Sequence, residues 1–291
     1  MSTALEQIAA GERFAFGENW AEFLRGLNPE RIAGAEQSLR DFLEVAHLEG
    51  SSFADVGCGS GLFSLAARRL GARVHSFDFD PASVGCAREL KRRYFPDGPA
   101  QGAPRAPAWT IEQGSVLDTG YLASLGQFDT VYAWGVLHHT GAMWTALENV
   151  TLLVRPGGKL YISIYNDQGG TSRRWRHVKK MYNRLPRPLR FLLLWPSAVC
   201  LWWRVVLGDF VRLRPFATFR NYRKQRGMSA WRDVVDWVGG FPFEVARPER
   251  IFDFYRQRGF TLERLRTTLS LGCNQFVFRR TGRPLGPGAR L

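Results

Sequence analysis

The stretch "FADVGCGSGLFSLAARRLGARVHSFDFD", residues 53–80, decides the fold. An apolar run enters a turn that holds Gly57, Gly59 and Gly61, and a helix with small and apolar residues at i, i+3 and i+4 follows. A second apolar run, "RVHSFDF", ends in acids. Strand, glycine turn, helix and strand form the opening unit of a parallel sheet, whose ligands bind at the carboxyl ends of the strands. A dinucleotide site spaces its glycines G-x-G-x-x-G and seats a pyrophosphate on the helix N-terminus. Here the spacing is G-x-G-x-G, with Asp55 two residues ahead. That acid repels phosphate and suits a ligand carrying an ammonium group. A P-loop is excluded, because no Gly-Lys-Ser/Thr follows. Asp78, at the end of the second strand, can accept both hydroxyls of a ribose.

The alternation continues outward. "DPASVGCARELKRRYF" reads as a helix with Pro81 in its first turn. "WTIEQGSV", "FDTVYAWG" and "KLYISIYN" read as strands separated by the helices "TGYLASLG" and "MWTALENVTLLV", and "PDGPAQGAPRAPAW" as an irregular loop. Five apolar strands alternating with helices predict a doubly wound parallel α/β sheet. The rhythm stops over residues 171–246 and returns with the helix "RPERIFDFYRQRGF" and the strands "TLERLRTT" and "CNQFVFRR", spaced as an antiparallel pair. The expected organisation is a helical N-terminal cap (1–50), a core (51–170), a basic, Trp-rich helical insert after strand five (171–246) and a helix with strands that complete the sheet (247–291).

These motifs resemble the class I S-adenosylmethionine-dependent methyltransferases, in the branch acting on small molecules and quinone or lipid precursors. "DVGCGSG" matches the family's first motif and "HSFDFDPASV" its acidic motif. "IEQGSVLD" falls at the adenine edge, "FDTVYAWGVLHHT" on strand four and its loop, and "LVRPGGKLYISIYND" on the turn into strand five. The resemblance covers residues 40–170 and 247–280, and it implies a Rossmann-like, seven-stranded sheet with an antiparallel terminal hairpin. It further implies S-adenosylmethionine as cofactor. Asp55 and the turn Gly57, Cys58, Gly59 and Gly61 would face its methionine end, and Asp78 the ribose. Phe79, Ser115 and Val116 would line the adenine, with Trp134 at the end of strand four. Ser115 stands where many relatives have Asp, and Asp118 is an alternative contact.

Methyl transfer needs a nucleophile in line with the methyl group in a dry site, so proximity does most of the work. A hydroxyl nucleophile gains from a general base, and His138 and His139 follow strand four at the ligand edge. Some O-methyltransferases carry a catalytic histidine at a similar position, which favours His138. The competing reading makes the pair helix caps. Tyr165, Asn166 and Asp167 emerge at the same edge as candidate acceptor contacts, against a reading of the last two as turn formers. Trp20, in the cap, is a further pocket candidate. No metal is expected: adjacent histidines diverge, and the cysteines Cys58, Cys86, Cys200 and Cys273 form no C-x-x-C pair. The N-P-P-Y-type motif of nucleic-acid N-methyltransferases is absent.

Charge sets the insert apart. Residues 1–170 carry 14 Lys and Arg against 19 Asp and Glu, whereas residues 171–291 carry 26 against 7. Within 171–226 there is one acid, Asp209, so the positive field that attracts anionic partners is local. Phe191–Trp203 is uncharged but interrupted by Pro196, too short a run for a span, which takes about 20 residues. Trp195, Trp202 and Trp203 between arginines suit a segment lying in a headgroup layer. A lid packed on the core, an anionic membrane surface and, less favoured, nucleic acid compete for this segment. No secretory signal opens the chain, so a cytoplasmic protein, peripheral at a membrane, is expected. The function expected is O-methylation of a small-molecule or lipid-linked acceptor, with RNA methylation or a non-catalytic, membrane-associated nucleoside-binding adaptor as alternatives.

Overall fold

The computed structural model describes residues 3–96, 109–214, 218 and 230–281. Most of the Pro- and Gly-rich loop expected at 96–109, and residues 215–229 of the basic insert apart from Thr218, lie outside the described residues. The chain opens with α1 (Ala4–Ala9), α2 (Phe16–Arg25) and α3 (Pro29–Leu43). The alternating core follows as β1 (Ser52–Val56), α4 (Leu62–Arg69), β2 (Arg73–Asp78), α5 (Pro81–Tyr94), β3 (Trp109–Gln113), α6 (Thr119–Leu125), β4 (Phe128–Trp134), α7 (Met143–Asn149) and β5 (Val154–Tyr165). The insert supplies α8 (Gly170–Arg184), α9 (Phe191–Val211) and α10 (Ala230–Gly239), and the chain ends in α11 (Pro248–Arg256), β6 (Phe260–Arg266) and β7 (Cys273–Arg280). The sheet has seven strands in the order β3-β2-β1-β4-β5-β7-β6. The first five are parallel, and β7 runs antiparallel to both β5 and β6. The order reverses between β1 and β4, which places the ligand crevice at their carboxyl ends.

The two-residue period of each strand sorts its side chains onto two cores. On β1, Ala54 and Val56 join Leu147, Phe276 and Tyr255 on one face, while Phe53 joins Leu39, Leu65 and Tyr161 on the other. On β5, Leu160, Ile162 and Ile164 face the first core and Tyr161 the second. Burying each large side chain contributes roughly 1.5–3 kcal/mol, so these faces fix the register. A third cluster binds the insert together: Trp175, Tyr182, Leu194, Val234, Val238 and Phe243 pack with Phe14 from the cap.

The insert departs from expectation at Pro196. The helix α9 runs through it without interruption for 21 residues. Proline lacks one helical N–H, and this residue lies only six positions into the helix, where the loss affects the first turns alone. By length and composition, Arg187–Val211 is long and apolar enough to cross a membrane, with a mean hydropathy of 1.6.

Candidate active site

The glycine turn does three separate jobs. Gly57 has φ +70°, and a Cβ there would lie 2.2 Å from Val136 Cγ2. Gly59 has φ +52° and lies against the Trp20 indole, 3.0 Å from where its Cβ would be. Both leave backbone bare at the crevice, as glycine permits. Gly61, at φ +79°, instead packs on Ala87 of α5 and starts α4. The turn is tied to the next strand by Gly57 N–H and Cys58 N–H, which donate to the Phe77 carbonyl at 2.8 and 3.1 Å.

A cavity of about 330 Å³ opens over this turn. Val56, Gly57, Gly59, Asp78 and Phe79 form one wall, Ser115 and Val116 a second, and Trp134, Val136 and His139 a third. Arg13, Phe14, Phe16 and Trp20 of the cap close it. Asp78 is held by two backbone donors, Gly59 N–H and Asp80 N–H, each at 2.9 Å. Burial nevertheless pushes its carboxyl up to about 6. A ribose offers two further hydroxyl donors to such a carboxylate. Neighbouring Asp80 accepts Gly17 N–H at 3.0 Å and caps α5 through Ala82 N–H at 2.9 Å, and so clamps the cap to the core.

Of the expected cofactor contacts, Gly57, Gly59, Asp78, Phe79, Ser115, Val116 and Trp134 line the cavity, as does Trp20. Asp55, Cys58 and Gly61 do not. Strand alternation turns Asp55 to the face of Phe53, beneath α4, where it accepts the Ser64 hydroxyl proton. Ser76 donates to Ser64 at 2.7 Å, and the Trp109 indole to Ser76 at 2.8 Å, which completes a buried polar chain. Burial pushes Asp55 up to about 7. Cys58 is buried under the turn. Asp118 caps α6 through Tyr121 N–H at 3.0 Å and is not in the lining.

The histidines separate. His139 lines the cavity, while His138 is fully buried behind it against Tyr165, with ring centroids 4.1 Å apart. His139 Nδ1 lies 2.6 Å from the Pro242 carbonyl, which can only accept, so Nδ1 carries the proton and Nε2 is left as acceptor. Burial first, then the charges of Lys179 and Arg13, drives His139 down to about 3 and keeps it neutral. Burial, then the neighbouring His139, holds His138 well below the ordinary histidine range. Neither is poised as a strong base at neutral pH, and His139 is equipped to accept a hydrogen bond.

The expected acceptor contacts lie elsewhere than the cavity lining. Tyr165 is enclosed by His138, Trp237 and Phe243. Asn166 ties the terminal hairpin, donating to Thr268 O at 2.9 Å and accepting from Asn274 at 3.1 Å. Asp167 receives Gly169 N–H at 2.8 Å and stabilises the entry to α8. Both are turn formers. Sequence reading missed Arg13, which stacks over Phe79 at 5.0 Å and donates to His139 O at 3.1 Å and Gln7 Oε1 at 2.8 Å. No local pattern marks it, because its partners are remote in the chain. Among the described residues no group of three or more His, Cys, Asp or Glu is arranged to hold a metal.

Residues 54–160 match the family model described as a methyltransferase domain. The chain is 33% identical over 150 residues to the ubiquinone biosynthesis O-methyltransferase of Rhizobium rhizogenes, covering 49% of this chain and 54% of that protein. It is 32% identical over 145 residues to the protein of the same name from Xanthomonas euvesicatoria, covering 49% and 52%. The chain thus spans about half the length of the curated relatives it matches. Among solved structures, PKMT2 from Rickettsia typhi in complex with AdoHcy shares the fold, with a TM-score of 0.53 and 12% identity over 88% of this chain and 54% of that one. The matched residues 54–160 carry the glycine turn and the parallel strands, so it is this part of the chain that is similar to methyltransferase domains, and the seven-stranded sheet is the fold shared with the solved structure.

Proposed function

We propose that this protein transfers the methyl group of S-adenosylmethionine to an oxygen of a small, apolar acceptor. The observation that carries this reading is the meeting of two walls in one cavity: the bare turn with Asp78, and His139, whose Nδ1 is taken up by the Pro242 carbonyl. The residues fit the cofactor. Asp78 would take the ribose, Phe79, Ser115 and Val116 the adenine, and the Gly57–Gly59 backbone with Trp20 the methionine end. When bound, S-adenosylmethionine supplies an electrophilic methyl on a sulfonium. His139 accepts the hydroxyl proton of the acceptor in a hydrogen bond and orients that oxygen, while Phe14, Phe16 and Trp20 exclude water. Orientation of this kind supplies most of what displacement at a methyl requires. The names of the relatives point to phenolic quinone precursors as the first acceptors to try. Formation of S-adenosylhomocysteine from a panel of hydroxylated aromatic and prenylated phenols tests the reading. Tight cofactor binding without turnover on any of them would favour a non-catalytic adaptor.

A peripheral membrane position is part of this proposal. The α9 face formed by Leu192, Trp195, Val199, Trp203 and Leu207 is solvent-exposed at i, i+3/i+4 spacing, with Trp195 at 61% and Val199 at 63%. So continuous an apolar stripe marks a contact surface. Exposed Arg173, Arg174, Lys180 and Arg184 on α8, Arg204 on α9 and Arg212 just past its end suit anionic headgroups. The opposite α9 face packs Leu194, Leu201 and Trp202 into the insert, so the helix lies on the lipid rather than crossing it. The protein is expected to float with phosphatidylglycerol-containing vesicles and not with phosphatidylcholine alone. Trp195→Asp with Val199→Asp should reduce flotation by about fivefold or more. Flotation abolished by competing RNA would instead favour a nucleic-acid surface.

A further inference from the structure

Among the described residues that line the cavity, Arg13 is the one Lys or Arg. It is half-buried, and both its backbone and its side chain are held. Its backbone N–H donates to the Gln7 carbonyl at 3.2 Å, and the next N–H, that of Phe14, donates to Phe241 O at 2.9 Å. Its Nε donates to Gln7 Oε1 at 2.8 Å and its Nη1 to His139 O at 3.1 Å, and the guanidinium carbon lies 5.0 Å from the centroid of the Phe79 ring. The side chain is thus placed before any ligand arrives, which removes much of the ordering cost that a long, flexible side chain otherwise carries.

These partners leave the charge without a counter-charge. All are neutral: a side-chain amide, a backbone carbonyl and an aromatic ring. A guanidinium has five N–H donors, of which Gln7 and His139 take two; the remaining three make no hydrogen bond among the described residues. The acids of the cavity are engaged elsewhere. Asp78 accepts Gly59 N–H and Asp80 N–H, Asp80 accepts Gly17 N–H and Ala82 N–H, and neither forms an ion pair with Arg13. Burial pulls the guanidinium down from its ordinary value, while Asp78 and Asp80, acting at longer range, draw it up. A desolvated cation with no partner is costly, and the planar fork of a guanidinium matches a carboxylate through two parallel hydrogen bonds.

A carboxylate in this cavity has two sources, the methionine end of the cofactor and the acceptor. In the arrangement given above the methionine end lies along the Gly57–Gly59 backbone with Trp20, and Arg13 hydrogen-bonds to none of these. It bonds instead to the backbone of His139, the residue that meets the acceptor oxygen. We propose that Arg13 binds a carboxylate carried by the acceptor, so that the substrate class is a hydroxylated aromatic acid: an apolar ring with its hydroxyl at His139 and its carboxylate on the unused guanidinium N–H groups. This inference rests on the methyltransferase reading above and names a second polar group on its acceptor.

The test compares 4-hydroxybenzoate with 4-hydroxybenzamide, its uncharged analogue, by calorimetry on protein saturated with S-adenosylhomocysteine. The acid should bind about tenfold tighter than the amide, or more. Arg13→Met should remove that preference and leave the amide within about twofold, and Arg13→Lys, which keeps the charge but loses the fork, should retain part of it. No preference for the acid in the wild-type protein overturns the proposal, whether both compounds bind or neither does, and this comparison needs no variant to fold. An unchanged preference in Arg13→Met overturns it too. A second pair reads the cofactor, since S-adenosylhomocysteine carries a carboxylate and methylthioadenosine does not. A loss of about tenfold for S-adenosylhomocysteine in Arg13→Met, with methylthioadenosine unaffected, gives the arginine to the cofactor and overturns the acceptor site. Failure of the wild-type protein to bind S-adenosylhomocysteine at all defeats the methyltransferase reading, whereas bound cofactor with no preference for the acid defeats only the carboxylate site.

Discussion

The two sides of the cavity are built by different means. On the turn side, the wall comes from backbone geometry and from residues close in sequence: Gly57, Gly59 and Asp78 lie within one strand–turn–helix–strand unit. The facing wall is assembled from segments remote in the chain: His139 follows β4, while Arg13, Phe14 and Trp20 come from the cap, joined by contacts such as Arg13 to His139 O. The first wall depends on a backbone that only glycine leaves bare; the second depends on side-chain packing between the cap and the core.

This contrast can be broken most sharply at Gly57. Alanine there would force a Cβ to 2.2 Å from Val136 in a left-handed backbone, so Gly57→Ala should lower affinity for S-adenosylhomocysteine by roughly 100-fold or more, or prevent folding. Gly157→Ala, also at positive φ but with open space around it, is the control, and equal affinity loss in both would remove the close-approach account. Next, Asp78→Ala should weaken cofactor binding by at least tenfold, about 1.4 kcal/mol, through loss of charge-assisted hydrogen bonds. Unchanged affinity by calorimetry would refute the ribose assignment.

The smallest effect concerns Asp55, which belongs to the core beneath the turn. Its folded pKa of about 7 lies above the ordinary carboxylate value of 3.8. The folded state therefore binds the proton more tightly, and ionisation costs stability as pH rises through this interval, in full above about 7 and not at all below about 4. Asp55→Asn keeps an acceptor for Ser64 without the charge. The variant should gain about 1 kcal/mol or more relative to wild type at pH 8 compared with pH 5, read as the difference in Tm shifts. A gain independent of pH would mean that Asp55 is not a buried, titrating group.

Much of the fold was legible from residues 53–80 and the alternation that follows, because parallel strands buried on both faces read as apolar runs between helices. The cavity wall around the glycine turn was legible for the same reason that it is local: positive-φ glycines and a strand-end acid leave a mark at fixed spacing. Its errors arise where the strand period, and not the motif, sets direction. Asp55 alternates away from the cavity with Phe53, and Tyr165 lies under the insert with Trp175 and Phe243. The pair His138–His139 was visible, but which ring reaches the cavity was not: the two rings lie together, with centroids 4.5 Å apart, and their partners, the Pro242 carbonyl for His139 and the Tyr165 ring for His138, come from elsewhere in the chain.

Sequence alone determined the sheet, its antiparallel close, the glycine turn and the concentration of positive charge after residue 170, since each is written in short-range pattern or composition. The tertiary structure decided the rest: that Arg13 and Asp80 join the cap to the core, that α9 buries one face and exposes the other, and that Lys179 lies beside His138 under aromatic rings. Those facts depend on contacts between residues far apart in the chain, and short-range patterns of hydrophobicity or charge do not encode them.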